Sequence, residues 1–268
     1  MNLAGKRVLI TGGSSGIGLA LAEELCARGA AVVITGRREG AVREAVSHLR
    51  AKRGRAEGIA ADVTTEAGRL ASVQETLDVL GGLDVLVNNA GGVRASRLEK
   101  TTEEDIRTML DVNLLAPILL TRLALPHLRA AGDAMIVNIT SAAALIGMPF
   151  YATYCAAKAG FAQFGEALRR ELSGEGVKVL TVYPSGTETP MMRTSRAGPE
   201  LGFAREPAAA VAQAVVAAMQ ADEIELVRGD QTRAEMVELN WNNPVALDER
   251  FASMKAGLEE AVQDHRAL

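Results

Sequence analysis

The stretch VLITGGSSGIGLALAEEL, Val8–Leu25, decides the fold. It opens on an apolar run of the kind that is buried on both faces of a parallel sheet. A glycine-rich turn follows, and then a helical pattern. Gly12, Gly16 and Gly18 stand at G-x-x-x-G-x-G spacing, not the G-x-G-x-x-G of many dinucleotide-binding turns. Both spacings rest on the same physics. Glycine permits a tight turn and lets the backbone approach a pyrophosphate. The helix start behind it offers unpaired N–H groups and a positive dipole end. Ser14, Ser15 and Ile17 fill the rest of the turn. A glycine-rich strand-to-helix turn can also exist without a ligand, so the remainder of the chain must decide between the two.

Outward from this turn, short β-branched runs alternate with longer helical patterns. Strands are predicted at Arg7–Thr11, Ala31–Thr35, Ala56–Ala61, Val85–Asn88, Met135–Thr140, Lys178–Tyr183 and Ile224–Val227. Helices are predicted near Gly16–Arg28, Glu39–Arg53, Glu66–Leu80, Glu103–Leu128, Tyr151–Ser173 and Ala208–Gln220. Pro117 should bend or break the fourth of these. Such alternation implies an α/β fold with right-handed crossovers: a Rossmann-like, doubly wound, predominantly parallel seven-stranded sheet flanked by helices. No linker or repeat interrupts it, so residues 1–268 read as a single domain. Ser185–Glu206, rich in proline and glycine, leaves the carboxyl edge of the sheet, where open α/β sheets bind ligands, and reads as a substrate lid. Further helical pattern runs from about 231 to 268. Within it, Asn243 then Pro244 reads as an N-cap followed by proline at the first helical position.

The chain is 48% hydrophobic and 23% charged, as expected of a globular protein with one large core, and its net charge of −4 argues against a nucleic-acid partner. No apolar run is long enough to suggest a membrane span. Cys26 and Cys155 are too few for a disulfide scaffold, so a cytoplasmic location is expected. The three histidines are scattered, and no metal site is expected.

Two further stretches bear on chemistry. The second strand ends in Gly36, Arg37 and Arg38, where a dinucleotide's adenosine ribose would lie. An acidic residue there would bond a 2′-hydroxyl, whereas arginine accommodates a 2′-phosphate, so NADP(H) is favoured over NAD(H). Asp62, after the third strand, is placed to bond the adenine amino group or simply to make a turn. Tyr154 and Lys158 lie one helical turn apart on one face, with Ser141 upstream at the end of an apolar run. A phenol beside an ammonium group is expected to ionise more readily and to exchange a proton near neutral pH.

Together with NNAG at Asn88–Gly91, Asn113, and Asp62-Val63, these residues resemble the short-chain dehydrogenase/reductase family over about residues 5–190. The resemblance implies that Tyr154 is the general acid/base, that Lys158 lowers its pKa and bonds the nicotinamide ribose, and that Ser141 holds the substrate oxygen. It implies that Asn113 holds a relay water, through its backbone carbonyl at a helix distortion. Asn89, Ala90 and Gly91 would line the cofactor, with Pro184, Thr187 and Thr189 beyond the sixth strand. The family usually has Pro-Gly at the start of that segment; here Ser185 follows Pro184 and Gly186 comes next.

The activity so implied is hydride transfer between NADP(H) and a small-molecule carbonyl or secondary alcohol. Two other readings use the same residues: a catalytically silent dinucleotide-binding regulator, and an epimerase or dehydratase built on the same tyrosine. Ala143, Leu145, Met148, Phe150, Met191 and Met192 are expected to face an uncharged, moderately apolar substrate, with Arg94, Arg193 and Arg196 as the alternative handle for an anionic one. Helices 103–128 and 151–173 carry more apolar residues than one sheet face needs. In the resembling family such helices pair between subunits, which implies a homodimer or homotetramer.

Overall fold

The computed structural model describes residues 1–268. Its centre is a seven-stranded sheet in which every pairing is parallel. The strands are β1 (Arg7–Ile10), β2 (Ala31–Gly36), β3 (Arg55–Ala60), β4 (Val85–Asn88), β5 (Ala134–Ile139), β6 (Val177–Tyr183) and β7 (Glu225–Val227). In space they run β7-β6-β5-β4-β1-β2-β3. The strand order reverses between β1 and β4, and a crevice opens beyond their carboxyl ends. The strands predicted from sequence are all present, with ends displaced by at most one residue.

The alternation of side chains explains why helices cover both faces. Val8, Ile10, Val32, Ile34, Val85, Val87, Met135 and Val137 point to one side. There they meet α1 (Gly16–Ala27), α2 (Glu39–Ala51) and α7 (Ala208–Gln220). Leu9, Val33, Leu86 and Ile136 point to the other side, toward α3 (Glu66–Leu80), α5 (Ala116–Ala131) and α6 (Ala152–Glu171). The edge strand β3 is mostly exposed, with only Ala56 and Ile59 buried.

The predicted helix from Glu103 proves to be a single rod in three parts: α4 (Glu103–Leu110), a π-helical turn at Asp111–Leu115, and α5. Pro117 does not break it. Proline sits at the start of α5, where a missing N–H costs little, and the irregularity falls just before it. Pro126 lies inside α5, a position sequence reasoning passed over. Contrary to the sequence-based expectation, the rod Glu103–Ala131 is long and apolar enough to cross a membrane by length and composition. Ala116, Leu120, Ala124 and Leu128 along it are instead packed into the core.

The lid segment is more ordered than its composition suggested. Gly186–Glu188 pairs in parallel with Arg205–Pro207, so its two ends close on each other. Beyond β7 come α8 (Gln231–Asn242) and α9 (Pro244–Val262), with Asn243 between them accepting from the Ala246 N–H at 3.2 Å, as the sequence predicted. The last residues return to the site: Arg266–Ala267 pairs antiparallel with Val93–Arg94, immediately after β4.

Candidate active site

A pocket of about 330 Å³ runs along the carboxyl edge of the sheet from Arg37 to Arg233. Its cofactor half begins at the glycine turn. Gly12 has φ +63, and a Cβ there would lie 3.0 Å from the Ala90 backbone, so only glycine suits it. Ser14, Ser15, Gly16 and Ile17 line the pocket floor. Gly18 does not. It lies beneath the turn, where a Cβ would come within 2.5 Å of the Gly12 carbonyl oxygen and the Asn89 amide. Its role is close packing of turn against strand, which spacing alone could not separate from ligand contact.

The donors of this half fit a dinucleotide. Helix α1 starts without a side-chain cap and with no acidic residue in its first turn, so its N–H groups are open to an anion. The buried Thr35 Oγ1 lines the pocket and has no hydrogen-bond partner. Arg37 and Arg38 are exposed at the mouth, while the neighbouring acids are committed elsewhere, Glu39 to Arg43 and Glu57 to Arg50. Asp62 and Val63 line the pocket, and Asp62 Oδ1 also accepts from the Thr64 N–H at 2.9 Å and hydroxyl at 2.7 Å. The aspartate therefore makes the turn as well as facing the cavity. Asn89, Ala90 and Gly91 form the next stretch of wall. The Asn89 side chain is pinned to the Thr11 and Gly12 carbonyls at 2.8 and 3.1 Å.

Pro184, Thr187 and Thr189 close this half from above. Despite Ser185 in place of glycine, the segment folds over the turn: Thr189 lies directly over Gly16, where a Cβ would sit 3.1 Å from its methyl. Gly186 carries the tight approach instead, since a Cβ there would meet the Ala204 carbonyl at 2.4 Å.

The other half, with the residues expected to handle the proton, is built by β5 and α6. Ser141 follows β5 and caps a short turn, its hydroxyl accepting from the Ala143 N–H at 3.1 Å. Tyr154 and Lys158, one turn apart on α6, face the same pocket. Lys158 is 4% exposed; it donates to the Ile139 carbonyl at 3.2 Å and stands 5.9 Å from the centre of the Tyr154 ring.

The expectation that Lys158 depresses the Tyr154 pKa is not met in the protein alone. Burial pushes the Tyr154 phenol up to about 12, against the pull of the Ser141 hydroxyl, and pushes Lys158 down to about 8. Both groups are ionised less readily because both are desolvated. At neutral pH Tyr154 is therefore a protonated donor beside a cation.

Asn113 lies behind this pair in the π-helical turn, fully buried. Its amide donates to the Gly92 and Met109 carbonyls at 2.8 and 2.9 Å. In an α-helix the donor to the Asn113 carbonyl would be the residue four ahead. Here that residue is Pro117, which has no N–H. The distortion implied at Asn113 has its cause there.

The substrate end departs from expectation. Ala143, Met148, Met191 and Met192 line it, but Leu145 and Phe150 do not; Phe150, with φ +71, turns its ring under Arg97. Arg94, Arg193 and Arg196 are also outside it. Arg94 is engaged with Asp105 and the Gln263 carbonyl, Arg196 with the Glu260 carbonyl and Asp264, and Arg193 borders a separate surface depression. In their place stand Tyr151, Phe203, Arg233 and His265. Arg233 and His265 come from the C-terminal helices and tail, and no local signal in the sequence connects them with a pocket built by β5 and α6. Cys155, beside Tyr154, has its thiol pushed up by burial and is a packing residue.

The chain is similar to known proteins in sequence and fold. The family model for short chain dehydrogenases matches residues 6–200. A ketoacyl reductase, HetN, of Nostoc sp. is 36% identical over 84% of this chain and 79% of its own length. A 3-oxoacyl-[acyl-carrier-protein] reductase, FabG, of Vibrio cholerae is 36% identical over 72% of this chain and 78% of its own. The crystal structure of a 3-ketoacyl-(acyl-carrier-protein) reductase from Brucella melitensis complexed with NADH superposes with a TM-score of 0.80, at 28% identity, over 86% of this chain and 99% of that one. With the turn at Gly12–Gly18, the sheet order and the Ser141, Tyr154 and Lys158 cluster in place, the chain belongs to the short chain dehydrogenase family and is an oxidoreductase acting on CH–OH or carbonyl groups.

Proposed function

We propose that this protein reduces a small carbonyl compound with NADPH, and that Tyr154 gives the proton. The observation that carries this reading is that Ser141, Tyr154 and Lys158 line one end of the same cavity whose other end is lined by the glycine turn and Arg37. A bound nicotinamide would supply the hydride; the protein's task is to orient both reactants and manage the proton. Ser141 donates a hydrogen bond to the substrate oxygen and Tyr154 transfers its proton to that oxygen as negative charge develops there. Lys158 stabilises the phenolate left behind. Asn113, through its carbonyl, holds the water that returns a proton along Lys158. The test is NADPH oxidation, followed by absorbance, over a panel of ketones and aldehydes. Failure of the whole panel with the cofactor bound would favour the silent regulator.

Arg37 supports the choice of NADP(H). It lines the cavity at the end of β2, and the neighbouring acid Glu39 is paired with Arg43. Arg37→Asp is expected to weaken NADPH binding by at least about tenfold, as loss of a charge-assisted bond does, and to leave NADH the better ligand. Titration of each dinucleotide by fluorescence checks this; equal NADPH affinity in the two proteins would assign Arg37 to solvent.

An oligomer is supported by one face of the rod. Leu115 is exposed, and Ile118 and Leu119, on the same side, lie outside both core clusters. We read this apolar stripe as the seam of a homodimer or homotetramer, and light scattering showing a monomer would contradict it. Unpaired Cys26 and Cys155 suit a reducing compartment, in keeping with a cytoplasmic enzyme.

A further inference from the structure

The proton-handling residues leave one charge in the pocket unused. Arg233, at the start of α8, is 4% exposed and lines the substrate end. Its backbone N–H is taken by Asp230, which caps the helix at 2.9 Å. Its side chain has a single oxygen acceptor, the Gly202 carbonyl, 2.8 Å from Nη2. Nη1 meets only the Met148 sulfur at 3.7 Å, and Nε is buried with no acceptor at all. The guanidinium lies over the Phe203 ring at 5.4 Å, and no carboxylate comes within ion-pairing reach. Burial of a charged fork with so few partners is unfavourable. A lid clamp on Gly202 would use one of its five N–H groups and does not explain the rest.

The wall between Arg233 and the catalytic tyrosine is made of rings. Phe203 stacks on Tyr151 at 6.3 Å, and Tyr151 meets Tyr154 edge-on at 6.3 Å. His265 packs edge-on against Tyr151 and is held neutral by burial, its pKa lowered to about 4, so it adds no competing cation. A reacting carbonyl at Tyr154, an apolar middle along the rings and an anion at Arg233 would fill this end.

We propose that Arg233 anchors an oxyanion, in its simplest form a carboxylate, at the end of the substrate remote from the reacting carbonyl. The substrate class is then an oxo acid with an apolar spacer, not the uncharged compound that the methionines alone suggest. The class rests on the hydride-transfer reading; the anchoring itself does not. A planar fork with free N–H groups suits a carboxylate better than a lysine would.

The test compares straight-chain oxo-carboxylates of graded length with their methyl esters on the NADPH-loaded protein. Binding is measured by calorimetry and turnover by NADPH absorbance. Wild type is expected to bind the best acid at least about tenfold more tightly than its ester, the worth of a charge-assisted pair. In Arg233→Met the acid-to-ester ratio should collapse toward one, and in Arg233→Lys it should fall only part way. Selective binding without turnover would sink the hydride reading and leave the anchor standing. Turnover without acid preference in wild type would overturn the anchor and leave the hydride reading intact. That second outcome is read on wild type alone, so it stands even if a variant fails to fold.

Discussion

Tyr154→Phe should cut carbonyl reduction by at least about 10²-fold, the low end for lost acid/base catalysis, while NADPH still binds. The variant removes one oxygen from a side chain whose ring remains in contact with Tyr151. The cofactor half, from Gly12 to Asp62, is untouched, so binding and proton transfer should separate cleanly in this variant. The phenol is pushed up to about 12 by burial, so near neutral pH it is a donor and not a base. Reduction should therefore outpace alcohol oxidation at neutral pH in the wild type, and both should fail in the variant. Single-turnover mixing with NADPH and a reactive ketone reads the effect. A variant that reduces the ketone at the wild-type rate would show that the proton comes from elsewhere.

Lys158→Met should abolish turnover to a similar extent and at the same time stabilise the protein. The ammonium is buried, and its pKa in the folded protein is about 8 against 10.5 in the unfolded chain. Between these values the unfolded chain binds more protons, so stability rises with pH across that window. Below about 8 the full cost of burying the charge is present, on the order of 3 kcal/mol. Loss of the bond to the Ile139 carbonyl offsets about 1 kcal/mol of the gain. A rise in the thermal midpoint of roughly 5 °C at neutral pH follows for a chain of this size, shrinking from about pH 8 upward as the lysine discharges in the folded state and gone above 10.5, where it is discharged in both. Calorimetry at two pH values checks it. A midpoint lowered at neutral pH would mean that the lysine contributes more through packing and hydrogen bonding than burial of its charge costs. Catalysis would then carry no stability penalty at this position.

The fold was legible because its signals are local. Val8–Leu25 shows strand, turn and helix in order, and the burial of β1, β2, β4 and β5 on both faces follows from nearly continuous apolar runs. The cofactor wall was legible for the same reason: Gly12, Asp62 and Asn89 each follow a recognisable strand end. What could not be read was set by geometry between distant segments. Gly18 and Gly16 look alike in sequence, yet one packs a strand and the other faces the cavity. The Tyr154 pKa argument counted the helix face and not the burial. Arg233 and His265 reach the pocket only because the C-terminal helices fold back and the tail pairs with Val93–Arg94. A charge on a helix ordinarily reads as solvated surface. Ser185 looked like a break in the lid, but Gly186 supplies the close approach one residue later.

The most direct test of hydride transfer managed by Tyr154 is isotopic. The protein would be given NADPH deuterated on the transferring face of the nicotinamide and a ketone from the panel, and the product alcohol examined by mass spectrometry and NMR. The account predicts one deuteron on the carbinol carbon, a hydroxyl proton from solvent, and no labelled alcohol from Tyr154→Phe beyond background. Labelled alcohol formed equally by Tyr154→Phe, or NADPH retained unoxidised by the wild type across the panel, would contradict it.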